Sequence, residues 1–301
     1  MNLPFLARSW WLSESPGSQT QASWIHRYRL WQVFYANKSA VLGLAVIVLT
    51  LLAAILAPLL ATHDPVIQDL GNRLQPPSAA HWLGTDELGR DVYSRLLYGG
   101  RVTLGMVLAV VVLVAPVGLL IGCTAGYFGG VADTVLMRIT DIFLAFPRLI
   151  LALAFVAAIH PGMTSSIIAI ALTTWPPYAR LARAETMTIR NADYVAALRM
   201  TGAPSRRIIV KHIMPLCFSS LIVRVTLDMS GIVIFAASLG FLGMGAQPPM
   251  AEWGTMIATA RRFILDSWWV PLIPGLAILL ISLAFNLMGD GLRDALDPKQ
   301  S

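Results

Sequence analysis

Lysine is almost missing from this chain. It occurs only at Lys38, Lys211 and Lys299, and none of the three follows a glycine, so a phosphate-cradling loop ending in Gly-Lys is excluded. The two cysteines, Cys123 and Cys217, fall within or at the edge of apolar runs and form no motif, which reads as two small buried residues rather than a redox pair. Gly-x-Ser-x-Gly, His-Glu-x-x-His, paired Cys-x-x-Cys and a dinucleotide fingerprint after a strand are all absent. Histidines stand at 26, 63, 81, 160 and 212, with no two at helical ligand spacing. His63, His81 and His160 fall on the side assigned below to the outside, where a metal contact is open. Lone histidines are ordinarily solvated or hydrogen-bonded, and no metal site or catalytic residue is assigned. These gaps argue against a membrane enzyme or sensor and leave no means of hydrolysing nucleotide through a P-loop.

Apolar residues are what the chain does have. They make up 56% of it, against 13% charged, and the mean hydropathy is +0.68, which indicates an integral membrane protein. Crossing about 30 Å of hydrocarbon takes roughly 20 helical residues. Six runs qualify: Ala40–Ala61, Val102–Tyr127, Ile142–Ile159, Met163–Leu181, Leu216–Met244 and Trp269–Met288. The expected fold is therefore all-α and polytopic, with six transmembrane helices.

With both termini inside, the inner segments hold fifteen of the Lys and Arg residues, among them Arg138, Arg148, Arg180, Arg183 and Arg190, and the outer gaps hold six. That asymmetry favours both ends in the cytoplasm, and it makes the net charge of +6 a topology signal rather than a nucleic-acid surface. The first run starts too late and is too long for a cleaved signal peptide. Residues 1–39, which mix Trp10, Trp11, Trp24, Tyr28, Trp31, Phe34 and Tyr35 with Arg27, Arg29 and Lys38, read as a cytoplasmic segment lying at the headgroups. Residues 40–301 form the membrane domain, with an outer segment over 62–101 and an inner loop over 184–213.

Prolines punctuate the runs at Pro58, Pro116, Pro147 and Pro176–Pro177, each removing a helical hydrogen bond. In the fifth run Arg224 and Asp228 stand four apart on one helical face. A charge in lipid costs several kcal/mol unless paired, so a mutual ion pair is the first reading and the lining of a translocation path, with Met229, the second. The outer stretch HWLGTDELGRDVYSRLLYGGR (81–101) has Gly84 and Gly89 for tight turns, and Thr85 or Asp86 to cap an interfacial helix before the second span.

The stretch AALRMTGAPSRRIIVKHIMP (196–215) carries five basic residues and no acid. An amphipathic helix is expected over 185–200, started or turned at Asn191 or Asp193. Gly202 and Pro204 end it, and Ser205 caps a second, basic helix that carries Arg206, Arg207 and Lys211 to Pro215. Such punctuation suits a rigid knob pushed by another protein better than a solvated loop.

This stretch resembles the cytoplasmic coupling loop of the permease subunits of bacterial binding-protein-dependent ABC importers, whose motif reads Glu-Ala-Ala, three residues, Gly, and then Ile-x-Leu-Pro. Ala196, Ala197 and Leu198, then Gly202, and then His212, Ile213, Met214 and Pro215 occupy its positions; Ala196 replaces the family's glutamate and Leu198 its second alanine. The stretches 81–101, GYFGGVADTVLMRITDIFLAFPRL (126–149), SLGFLGMGAQPPMAEWGTMI (238–257) and AFNLMGDGLRDALDPK (284–299) narrow the likeness to the second permease subunit of dipeptide, oligopeptide and nickel importers.

The resemblance implies a type I importer permease in the bacterial inner membrane that binds no cofactor itself. It implies a paralogous permease, two ATPase subunits that bind ATP and magnesium, and an extracytoplasmic solute-binding protein. ATPase coupling falls to Ala196, Ala197, Leu198, Gly202, Ala203, Arg206, Arg207, Ile213 and Pro215. Binding-protein docking falls on the outer segments, with Asp86, Arg90, Asp91, Glu252 and Trp253 as candidates. Peptide is the expected cargo, nickel or a metallophore the alternative. An ion-coupled carrier is the competing class, separated by whether uptake depends on ATP.

Overall fold

The computed structural model describes residues 18–296. Arg8, Trp10, Trp11 and Lys299 lie outside the described residues. Among the described residues ten helices of eight residues or more follow one another: α1 (Gln19–Ala36), α2 (Lys38–Ile55), α3 (Val92–Phe128), α4 (Gly130–Ala145), α5 (Arg148–Ile159), α6 (Met163–Ile189), α7 (Asp193–Met200), α8 (Ser205–Phe241), α9 (Trp253–Ala260) and α10 (Trp269–Leu296). Short helical turns join some of them. Extended structure among the described residues is limited to one bridge, between Thr85 and Asp91.

The all-α membrane fold expected from the sequence is present, with differences in how the spans are built. By length and composition α2, α3, α8 and α10 are each able to cross a membrane, and α4 with α5 forms a fifth candidate only across a bend of 93°. The bend falls at Phe146–Pro147: Pro147 has no N–H to donate, and it pushes Phe146 into extended geometry at ψ 144°. The 12 residues of α5 then cover about 18 Å, short of the hydrocarbon thickness. The fourth expected run lies on α6, whose 27 residues supply length but include Pro176, Pro177, Arg180 and Arg183. Pro116, Pro176 and Pro177 are absorbed inside their helices, whereas α2 stops just before Pro58.

The most extensive helix pair is α3 with α6. Three glycines four residues apart on α3 make it possible. A Cβ on Gly118 would sit 2.4 Å from Tyr178 Cβ, one on Gly122 2.2 Å from the Ala179 carbonyl, and one on Gly126 2.7 Å from Thr186 Cβ. Small residues at this spacing let two backbones touch, which in lipid replaces the hydrophobic drive that packs soluble helices. Helix α10 packs against α2 and α8, and α1 lies against α10 with Phe34 buried beside Ala40 and Ala295. Trp24, Trp31 and Tyr35 of α1 stay exposed.

Replacing Gly122 by leucine is expected to force α3 from α6 and cost about 3 kcal/mol, the upper end of ordinary overpacking. Gly105→Leu on the same helix, where a Cβ meets nothing within 4 Å, is the control. Thermal melting of the detergent-purified variants should show a large loss for the first and little change for the second.

Candidate functional site

The inner loop is a folded knob clamped to the end of α3. Its first helix is split where the sequence suggests one element: α6 runs on to Ile189, a turn follows at 190–192, and α7 starts at Asp193. Ala192 holds the N-cap position without a side-chain bond, while Asn191 donates to the Met187 carbonyl at 3.3 Å. Gly202 ends α7 as expected, at φ +77°; its N–H donates to the Arg199 carbonyl at 3.0 Å, and the Ala203 N–H to that of Leu198 at 3.1 Å. These are the two bonds of a Schellman turn, and Leu198 and Ala203 meet the core beside it.

The second helix differs from expectation. Pro204, not Ser205, takes the N-cap position, and Ser205 forms no cap bond. The basic segment does not stop at the membrane entrance but continues into the span as α8, through a π turn at Ile209–Ile213 and a 3-10 turn at Met214–Cys217. Pro215 explains the change of winding. It has no N–H and its ring would strike the carbonyl four residues back, so the helix widens just before it.

Burial separates the coupling candidates into two groups. Ala196, Ala197, Gly202, Arg206, Arg207 and Pro215 are exposed, Leu198 and Ala203 half-buried, and Ile213 fully buried. Val195, Ile208 and Ile209 are buried with Ile213, so each arm of the knob carries its own anchor. Met200, 90% exposed, stands at the tip.

Two arginines not singled out by sequence reasoning hold the knob in place. Arg190 Nη1 donates to the Gly126 carbonyl at 2.8 Å, satisfying an orphan acceptor in the last turn of α3. Arg199 lies 4.9 Å from the Tyr127 ring centre and donates from Nε to its hydroxyl at 3.3 Å. Nearby, Arg183 of α6 grips Asp133 of α4 with both nitrogens, Nη2 to Oδ2 at 2.6 Å. The partners lie far apart in sequence, and no local spacing reveals them.

In the membrane Arg224 Nε does bond Asp228 Oδ2, at 3.0 Å, as expected for an i, i+4 pair. Arg224 also borders a groove with Ser219, Ser220, Leu227 and Arg293 and is 39% exposed, so the pair is less enclosed than a core ion pair. Met229 is half-buried and lines a different, apolar groove with Arg101, Phe285 and Met288. The three path candidates therefore do not share one cavity.

At the other end of α3, the five docking candidates have their side chains turned inward. Asp86 is the hub: Oδ2 takes Arg90 Nε at 2.7 Å and Arg95 Nε at 3.3 Å, and Oδ1 accepts the Leu88 and Arg90 amides. Asp91, not Thr85 or Asp86, caps the helix, accepting from the Ser94 amide at 2.8 Å; that helix is α3 itself, with no break before the span. Thr85 is occupied elsewhere, donating to the Asn72 carbonyl and accepting from the Gln75 amide. Glu252 caps α9, accepting from the Gly254 and Thr255 amides at 2.8 Å each. Burial pushes its carboxyl above the usual range, and those amide bonds oppose the shift. Trp253 lies against Gly99 and Gly100 of α3 and donates from Nε1 to the Leu96 carbonyl at 3.0 Å. The outer segments are thus a built cap welded to the head of α3, and Gly84 and Gly89 make its turns at φ +75° and +73°.

Comparison with known proteins bears on this arrangement. Residues 118–301 match the family model described as binding-protein-dependent transport system inner membrane component, and residues 28–77 match that of the N-terminal TM domain of oligopeptide transport permease C. The chain is 48% identical over 254 residues, 84% of its length and 85% of the relative's, to the probable D,D-dipeptide transport system permease protein DdpC of Escherichia coli. It is 49% identical over 275 residues, 89% and 91% of the two lengths, to the di/tripeptide transport system permease protein DppC of Pseudomonas aeruginosa. A chain of the MetNI methionine ABC transporter, solved in inward-facing conformations, superposes with TM-score 0.52 over 67% of this chain and 96% of that one, at 19% identity. That last likeness carries the fold alone.

The architecture is a helical bundle with apolar spans, a knob clamped at one end of α3 and a folded cap at the other, and the relatives it matches are transport permeases. The chain belongs to the family of binding-protein-dependent transport system inner membrane components.

If Arg224 and Asp228 depend on each other, Arg224→Ala alone should lower the melting temperature more than the double change with Asp228→Ala. The double-mutant cycle should yield a coupling on the order of 1 kcal/mol, and additive losses would mean the pair contributes nothing.

Proposed function

We propose that this chain is the second permease subunit of an ATP-driven ABC importer of di- or oligopeptides. It forms half of a translocation pathway with a paralogous permease. Two ATPase subunits, which bind ATP and magnesium, dock under the knob, and a solute-binding protein docks on the outer cap. The peptide cargo is supported by the relatives, which are named as dipeptide and di/tripeptide permeases.

The observation that carries the coupling role is the division of the knob into an exposed tip and buried anchors. Met200, Gly202, Arg206 and Arg207 face outward, while Val195, Ile208 and Ile213 are locked in the core. A flexible loop pushed by an ATPase would absorb the displacement. A clamped knob passes it to α6 and α8, the helices it joins, and so to the pathway by alternating access. Both ends of the chain lie in the cytoplasm in this reading, which places Arg183, Arg190, Arg199, Arg206 and Arg207 on the inner side. The binding protein meets exposed apolar residues of the outer segments, such as Ile67, Leu70, Trp82 and Leu265.

The test is Gly202→Pro. Proline fixes φ near −65°, against the +77° found here, and removes the amide that donates to Arg199, so the turn is lost while the membrane core is untouched. Membrane insertion and melting temperature should be retained, uptake of a labelled dipeptide should fall to background, and P-loop ATPases should no longer co-purify. Normal uptake by this variant would overturn the coupling role. Gly202→Ala, with open space around the new Cβ, should cost only about 1 kcal/mol of local strain and keep uptake.

A further inference from the structure

We propose that His63, His81 and Asp91 form a binding site for a late first-row divalent cation such as zinc, which staples the outer segment to the head of α3. The three side chains place one ligand atom each within 4.8 Å of one another. His81 Nδ1 lies 3.0 Å from Asp91 Oδ1, and His63 Nδ1 lies 3.9 Å from the same oxygen. Zinc bonds of about 2.0–2.1 Å in tetrahedral geometry set neighbouring ligands about 3.3 Å apart, a value these two distances bracket. Small ring rotations close the set, and the two imidazoles already face each other at 4.5 Å between centres.

The surroundings hold the carboxylate in position. Asp91 Oδ2 is fully engaged, accepting from the Ser94 amide at 2.8 Å, from Ser94 Oγ at 2.7 Å and from Thr62 Oγ1 at 3.4 Å. This leaves Oδ1 for the ion. The His63 amide donates to Ser94 Oγ at 3.1 Å and the His81 amide to Ser78 Oγ at 3.1 Å, which fixes the backbone carrying each ring. Fixed outer partners of this kind orient metal ligands. The Asp91 side chain is fully buried and that of His63 is 43% exposed, so the fourth position opens to solvent and suits a water.

Nδ1 of His81 already faces Asp91 Oδ1 across a hydrogen bond of 3.0 Å. An ion held at Nδ1 takes the place of that hydrogen bond and leaves Nε2 to carry the ring N–H. Two imidazoles and one carboxylate favour zinc, cobalt or nickel over calcium or magnesium, which require all-oxygen sites. The ion would join residues 62–81 to the N-cap of α3.

The test uses the full chain in detergent after chelator treatment, titrated with zinc and with cobalt. Expected are one zinc per chain, a raised melting temperature, visible cobalt absorption bands, and no comparable response to calcium. His63→Ala and His81→Ala should each weaken zinc binding at least about tenfold and abolish the bands. Asp91→Asn keeps an oxygen to cap α3 and should weaken binding without unfolding the protein. A wild type that shows no saturable zinc binding, or a His63→Ala/His81→Ala double variant that binds as the wild type does, would overturn the site and leave only the His81–Asp91 hydrogen bond.

Discussion

Everything in this chain hangs on how closely α3 approaches α6. Gly118, Gly122 and Gly126 bring the two backbones to a separation that admits no side chain between them. In lipid there is no hydrophobic reward for bringing helices together, so contact at this range supplies the packing energy. The seam also sets the positions of the polar groups at its inner end. Gly126 both closes the seam and offers the carbonyl that Arg190 takes. Tyr127, the next residue, receives Arg199. The knob is therefore an extension of the α3–α6 unit.

The same helix organises the other side. Asp91 caps α3 at its first turn, Gly99 and Gly100 accept Trp253, and Thr103 meets Glu252 at the start of α9. One helix of 37 residues thus links the outer cap with the inner knob. A transport permease must answer a binding protein on one face and an ATPase on the other, and a continuous rod fixed at both ends serves that need.

Features fixed by local chemistry were legible in the sequence. Gly202 adopts a left-handed conformation that glycine alone adopts without strain, and a positive φ was readable from Gly-Ala-Pro after an apolar turn. The Arg224–Asp228 pair follows from helical spacing alone. The docking residues show the limit: Asp86, Arg90 and Asp91 read as docking candidates in the sequence, but each finds its partner nearby and the group folds inward. The extension of α8 across Pro215 was missed because a proline usually marks a boundary, and here a π turn accommodates it. The seam, the Arg190 and Arg199 clamps and the meeting of His63 with His81 depend on contacts between distant segments, which no window of sequence contains.

The claim that knob and α3 move as one body is tested most directly by distance measurement between spin labels at Met200→Cys and, at the end of α3, Phe128→Cys in the assembled transporter, with and without ATP. Both positions are exposed, at 90% and 55%, and the native cysteines are buried and remain unlabelled. The account predicts one narrow distance distribution that nucleotide leaves unchanged. A shift or broadening on ATP binding would mean that the knob swings on its own and that the Arg190 and Arg199 clamps do not hold it.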